Sequence, residues 1–176
     1  MRHLLTLHPD SRCDAVSGIE VDVVRSVNLL LRYIVTGKPG ALMIPSVVEP
    51  RRADELWRHT CFEAFFRAPL GEGYIEFNFS PSGEWAVYRL DGYRQGRRSA
   101  DDVPAPRITL HPNATGLELQ ASLELSNDSA WRLGLAAVIE ETNGRISYWA
   151  LKHPAGKPDF HHSDCFALEL AATLAS

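Results

Sequence analysis

Residues 74–90 read YIEFNFSPSGEWAVYRL, and the way this stretch pairs with itself decides the fold. Ile75, Phe77 and Phe79 alternate with Glu76 and Asn78, the two-residue period of a β-strand. Ser82-Gly83 reads as a two-residue turn, with glycine supplying the positive φ that such turns need. Pairing across that turn sets Phe79 opposite Ala86, Phe77 opposite Tyr88, Asn78 opposite Val87 and Glu76 opposite Arg89. Opposite charges facing across a ladder contribute on the order of 0.2–1 kcal/mol. With residues 60–67 as the preceding antiparallel strand, matching aromatic faces pairs Phe62 with Phe79, Ala64 with Phe77 and Glu63 with Asn78. One face then carries Phe62, Phe66, Phe77, Phe79 and Tyr88; the other carries Glu63, Glu76, Asn78, Trp85 and Arg89.

Two readings of the mixed face stand side by side. It is the solvated side of a sheet, or it is the floor of a site for a neutral polyol. Carboxylate and amide oxygens accept hydroxyl hydrogens, Arg and amide nitrogens donate, and an indole covers the apolar C–H face of a sugar ring. Composition does not choose between them.

The rest of the chain continues the pattern. Alternating runs over 1–8, 18–35 (with a turn near Ser26–Asn28), 107–111, 116–125, 131–141, 145–151 and 165–170 are separated by turn signals, Asn143-Gly144 among them. Residues 94–106, RQGRRSADDVPAP, are polar and Pro-bearing and read as a long surface loop, and KHPAGKPDFHHSD as a second one. One segment is ambiguous: in ADELWRHTCFEAFFRA, Trp57, Cys61, Ala64, Phe65 and Ala68 also line one side of an amphipathic helix. Repeats, linkers and low-complexity segments are not seen. The expectation is an all-β, antiparallel, two-sheet β-sandwich forming a single domain over residues 1–176.

The 176 residues carry 18 basic and 22 acidic side chains, with 45% hydrophobic and 23% charged, the profile of a globular protein. Without a basic block, nucleic acid is not an expected partner, and no apolar run approaches the roughly 18 residues of a membrane span. Cys13, Cys61 and Cys165 are widely spaced and form no metal motif. The amino-terminal apolar run is too short for a signal peptide, so a reduced, cytoplasmic setting is expected, with secretion by another route left open.

LWRHTCFEAFF, YIEFNFSPSGEWAVYRLDGYR and SYWALKHPAGKPDFHHSDCFALEL together resemble the DOMON-like superfamily, and within it the family 9 carbohydrate-binding modules and a group of small bacterial DOMON-like proteins. The shared anchors are a Trp, an acidic residue six positions on within an aromatic strand, a strand with an SPSG-like turn, and a late aromatic/His loop before a Phe-containing last strand. The resemblance spans most of residues 19–170. It implies a jelly-roll-like, immunoglobulin-type sandwich, which makes residues 60–67 a strand. It also implies a non-catalytic site for the end of a saccharide or a related small polar ligand, in the place where cytochrome-like members hold haem. Trp57 and Glu63 match the family's first Trp and its Glu by spacing, and Arg89 corresponds to its Arg; Asn78 joins them from its place on the same sheet face. For the second Trp the candidates are Trp149, Phe160 and His161. His59 and Thr60 stand where relatives carry an acidic pair that sometimes binds calcium.

Other chemistries are weighed against these. His153, His161 and His162 with Asp159 and Asp164 invite a metal site or an enzyme built on the closing loop, although vicinal residues on an extended chain point oppositely. Haem would need Met43 or Met1 with a His, without a Cys-x-x-Cys-His attachment; Met43 reads as core. Cys61 is a buried thiol or a nucleophile with His59 or His161 as base. Asp101-Asp102 and Glu140-Glu141 read as solvated turns or edges. A third role, as a piece that merely associates with a partner or a second copy, would show as an exposed aromatic strip.

Overall fold

The structure, a computed structural model, describes residues 1–125 and 128–172. It is all-β: among the described residues twelve strands form one curled antiparallel sheet. In chain order they are β1 (Arg2–Leu7), β2 (Val16–Arg25), β3 (Leu29–Gly37), β4 (Cys61–Arg67), β5 (Tyr74–Phe79), β6 (Trp85–Leu90), β7 (Arg98–Ser99), β8 (Arg107–Asn113), β9 (Gly116–Leu123), β10 (Trp131–Glu140), β11 (Ile146–Ala150) and β12 (Leu168–Leu170). Their order across the sheet is β7-β6-β5-β4-β10-β11-β1-β2-β3-β9-β8, with β12 added alongside β10. The two halves meet in β1, which pairs through Arg2–Leu5 with β2 and through Thr6 and Leu7 with β11. Among the described residues no helix is long and apolar enough to cross a membrane.

The half made by β2, β3 and β9 follows simple alternation. Ile19, Val21, Leu31, Tyr33 and Leu119 are buried, while between them Asp22 accepts from Arg2 (2.9 Å) and Arg32 (2.6 Å) on the outer face. The sheet curls until the inner face of this half meets the aromatic face of β4 and β5: the Tyr33 ring lies 5.0 Å from Phe62 and 6.5 Å from Phe79. The Tyr33 hydroxyl, in the dry interior, donates to the Glu63 carbonyl oxygen at 2.8 Å. A buried phenol needs such a partner, and this one ties β3 to β4 across the core.

The segment around Trp57 divides its two expected conformations. Leu56–Arg58 is a single 3-10 turn, entered through a left-handed Glu55 (φ 58°), and Cys61–Arg67 is a strand. The β4–β5 register is the expected one, Phe62 opposite Phe79 and Glu63 opposite Asn78.

The β5–β6 register differs from the expected one by a single residue. Phe79 faces Trp85, Asn78 faces Ala86 and Glu76 faces Tyr88. The connection is longer than two residues: Ser80 N–H donates to the Glu84 carbonyl (2.9 Å) and Gly83 N–H to the Ser80 carbonyl (3.0 Å). This is a type I turn with Pro81 at its second position, followed by Gly83 at φ 91°. The β10–β11 connection repeats it, with Glu141 N–H donating to Arg145 carbonyl, Gly144 N–H to Glu141 carbonyl, and Gly144 at φ 82°. In a strand, a slip of one residue exchanges the faces. Tyr88, Ala86 and Leu90 therefore share a face with Glu76 and Asn78, and Trp85, Val87 and Arg89 take the other.

Three further expectations change. Residues 94–106 are not merely surface: they contain β7 and the buried Ala100. Glu141, expected at a solvated edge, is buried, and its Oε1 accepts from the backbone N–H groups of Asp14 (2.9 Å) and Ala15 (2.8 Å). Met43, read as core, is exposed.

Candidate functional site

Strands β4 and β5 are buried on both faces, so the polar row Glu63–Glu76–Asn78 is not a wet surface. Its cover comes from segments without strand periodicity. The 3-10 turn brings Trp57, the loop after β6 brings Arg94 and Arg97, and the loop before β12 brings Pro158, Phe160 and His161. With Leu90, Val138 and Tyr148 from the sheet they enclose a cavity of about 370 Å³ against Glu63 and Glu76.

The carboxyl groups define its chemistry. Glu63 is 4% exposed and Glu76 3%. Asn78 Nδ2 donates to Glu76 Oε1 at 2.8 Å; Glu76 Oε2 is buried without a hydrogen-bond partner among the described residues. Among the same residues no hydrogen bond reaches the Glu63 carboxyl. Burial lifts Glu63 well above the ordinary carboxyl range and the nearby Glu76 lifts it further, against the pull of Arg97 and Arg94. Burial also raises Glu76, with the Asn78 hydrogen bond and the two arginines acting the other way.

The cover is braced by one acid. Asp159 Oδ1 accepts from Arg94 (2.8 Å) and from the His161 backbone N–H (3.1 Å), and Oδ2 accepts from the Tyr93 hydroxyl. Arg94 adopts a left-handed backbone (φ 54°), which turns this loop back over the sheet. The Arg97 guanidinium lies 4.6 Å from the Trp57 ring and 3.8 Å from the Tyr88 ring, cation–π contacts that hold the indole at the cavity wall. Behind Tyr88, its hydroxyl donates to Asp54. At the back of the loop, Gly134 of β10 lets the chain at Cys165 approach closely: a Cβ there would lie 3.1 Å from the Cys165 carbonyl oxygen.

His161 packs edge-on against Phe65 (5.3 Å), and its Nδ1 lies 2.7 Å from the Tyr74 hydroxyl, which itself accepts from the Arg94 N–H at 3.3 Å. Burial and the Arg94 charge push its pKa down to about 4, so the ring is neutral near pH 7, with Nδ1 accepting from Tyr74 and Nε2 carrying the proton. The folded-state value lies below the ordinary 6.5. The stabilising contribution is therefore complete above that value and is lost as pH falls from 6.5 toward 4, to the extent of about 3 kcal/mol. Melting followed from pH 7 down to pH 4 is expected to show this loss, and His161→Gln to flatten that part of the curve.

Of the residues expected to share a hollow, Trp57, Glu63 and His161 line the cavity, and Asn78 stands just behind it, holding Glu76. Arg89 does not. The register difference turns it to the other face, where it pairs with Asp102 at 2.6 Å and borders a second hollow with Trp131. Trp149 also faces away. It belongs to the main core, its Nε1 donating to Ser147 Oγ at 3.1 Å, and its neighbour Tyr148 lines the cavity instead. The residues that sequence reading left out of the site are Arg94, Arg97, Leu90, Val138 and Tyr148; the SPSG order, Pro second and Gly fourth, was the available signal for the corrected face of β6.

The histidines of the closing loop have separate surroundings. His153 lies 2.8 Å from the Thr6 carbonyl oxygen and against His8, His161 faces the cavity, and His162 accepts from the Asp164 N–H. Among the described residues no group of three or more His, Cys, Asp or Glu is placed to hold a metal ion. Cys61 is buried, and burial with the adjacent Glu63 raises its thiol far from the thiolate form; its Sγ lies near Asn78 Oδ1 (3.8 Å), and His59 is engaged with Glu140 at 2.7 Å.

No protein-family model matches the sequence, and no curated protein matches it. A solved structure of similar fold is described as a "putative carbohydrate-binding protein" from Bacteroides uniformis; it aligns with a TM-score of 0.65 over 93% of this chain and 83% of that one, at 13% identity. At that identity the likeness is one of fold. Fold and site together define an all-β chain with an acid-floored, aromatic-walled cavity under two loops.

Proposed function

We propose that this chain is a non-catalytic ligand-binding domain of the DOMON-like kind, its curled sheet serving as the two layers of a β-sandwich, and that the cavity takes the end of a saccharide. The observation that carries this reading is the acid pair at the cavity walled by Trp57, Tyr148 and Phe160: Glu63 is nearly fully buried, and Glu76 Oε2 is buried without a hydrogen-bond partner among the described residues. A buried polar group without a partner costs about 1–3 kcal/mol, which a ligand hydroxyl relieves. The rings supply cover for C–H faces, and the arginines and the His161 Nε2–H supply donors. At about 370 Å³ the cavity is near the lower end of the ~300–1,000 Å³ typical of ligand pockets, which suits a mono- or disaccharide rather than a polymer. The neighbour from Bacteroides uniformis, described in terms of carbohydrate binding, supports the same class of ligand.

Calorimetry against a panel of mono- and disaccharides, with Trp fluorescence followed in parallel, tests the reading. Binding of at least one sugar with a change in indole emission is expected, since Trp57 lines the cavity. Absence of heat and of any emission change across the panel would reject it.

A further inference from the structure

The charges around the cavity do not balance. Arg94 is matched by Asp159 at 2.8 Å, which leaves two buried carboxyls, Glu63 and Glu76, facing one remaining guanidinium, that of Arg97. The two acids stand on adjacent strands: Glu63 is paired with Asn78, two residues from Glu76 on the same face, so they are diagonal neighbours. Diagonal neighbours of this kind have Cβ atoms within about 7–8 Å, and one cationic group reaches both. Of the acceptors that such a group would use, Glu76 Oε2 is buried without a partner among the described residues, and the Glu63 carboxyl lines the cavity beside it. A neutral polyol fills their hydrogen-bonding capacity but leaves the charge as it is.

Resting on the saccharide reading above, we propose that the ligand is an amino sugar, its ammonium group held between Glu63 and Glu76 while the ring lies against the aromatic wall. An ammonium has three donors and no acceptor, which suits a place floored by acceptors alone. Hydrogen bonds with both partners charged are about twice as strong as neutral ones.

Burial raises both carboxyls above their ordinary range, which favours a proton on the pair when no cation is present. The ammonium takes the place of that proton, so binding releases it to solvent. The other titratable or charged groups facing the pair are Cys61 on β4, Tyr74 on β5, where burial raises the phenol, Tyr88 on β6, Arg94 and Arg97 on the covering loop, Tyr148 on β11 and His161 on the closing loop. Burial holds Cys61 and Tyr88 in their protonated, neutral forms and His161 in its neutral form, so the released proton comes from the carboxyl pair.

The test is calorimetry with glucosamine, glucose and N-acetylglucosamine, below the titration of the amine, in phosphate and in HEPES, whose ionisation enthalpies differ. Glucosamine is expected to bind about tenfold or more tightly than the other two. Its heat is expected to differ between the buffers by the amount for about one proton released. Glu76→Gln is expected to erase both the preference and the buffer dependence. Equal affinity for glucosamine and glucose, or heats independent of buffer, overturns the amino-sugar inference and leaves the saccharide reading in place. No binding of any of the three overturns the amino-sugar inference, and silence across the wider panel of mono- and disaccharides overturns the saccharide reading with it.

Discussion

Replacing Glu63 with Gln is expected to raise the melting temperature of the free protein and to weaken its ligand binding at the same time. The folded-state pKa of Glu63 lies well above the ordinary 4.5, because burial and Glu76 disfavour the charge. The folded state therefore holds a proton over a pH range in which the unfolded chain has released it. For a carboxyl raised in this way, stability is greatest below the ordinary value and declines as pH rises toward the folded-state value. Gln removes that decline. The melting curves of the variant and the parent should coincide near pH 4.5 and separate as pH rises, by roughly 2–4 °C for each kcal/mol of charge burial removed. A variant that melts below the parent at mildly alkaline pH would mean that the carboxyl is partnered or hydrated, and the cavity argument would fail with it. Opposite effects on stability and on binding are the usual mark of a group kept for recognition rather than for folding.

Gly134→Val tests the cover rather than the floor. The glycine lies between Phe65 and the chain at Cys165, where even a methyl carbon would come within 3.1 Å of a carbonyl oxygen. A strand position that otherwise favours valine thus requires the smallest residue, because another backbone passes over it. Alanine demands a shift of a few tenths of an ångström, whereas the two further methyl groups of valine displace the closing loop. Overpacking of this sort costs about 1–3 kcal/mol. Because that loop carries Phe160 and His161, ligand affinity should fall more steeply than stability, and Gly134→Ala should show a small fraction of both effects. Unchanged melting in the valine variant would show that the loop does not rest on β10 as described.

The strands were legible because alternation is a direct consequence of strand geometry, and residues 18–25, 29–37 and 74–79 display it. The floor of the site was legible for the same reason: once Phe62 and Phe79 share a face, Glu63, Glu76 and Asn78 must share the other. Arg89 was misassigned because register depends on turn length, and Ser82-Gly83 fits a two-residue turn as well as the end of a longer one until the fixed φ of Pro81 is taken into account. Trp149 was misassigned because indole is equally suited to a core and to a sugar platform, and only its parity along β11 decides. The arginines of the cover had no signal at all. Arg94 and Arg97 reach the cavity through a left-handed turn and an ion pair with Asp159, contacts between segments more than sixty residues apart that no local pattern records.

The loop of residues 80–84 also gives this fold an unusual way to diversify. A deletion of one residue there would rotate the whole of β6 by half a turn, withdrawing Leu90 from the cavity and Tyr88 from beneath Arg97, and presenting Arg89 and Val87 in their place. Changes of specificity among proteins built this way would then be written in insertions and deletions, and an alignment scored by substitutions alone would miss them.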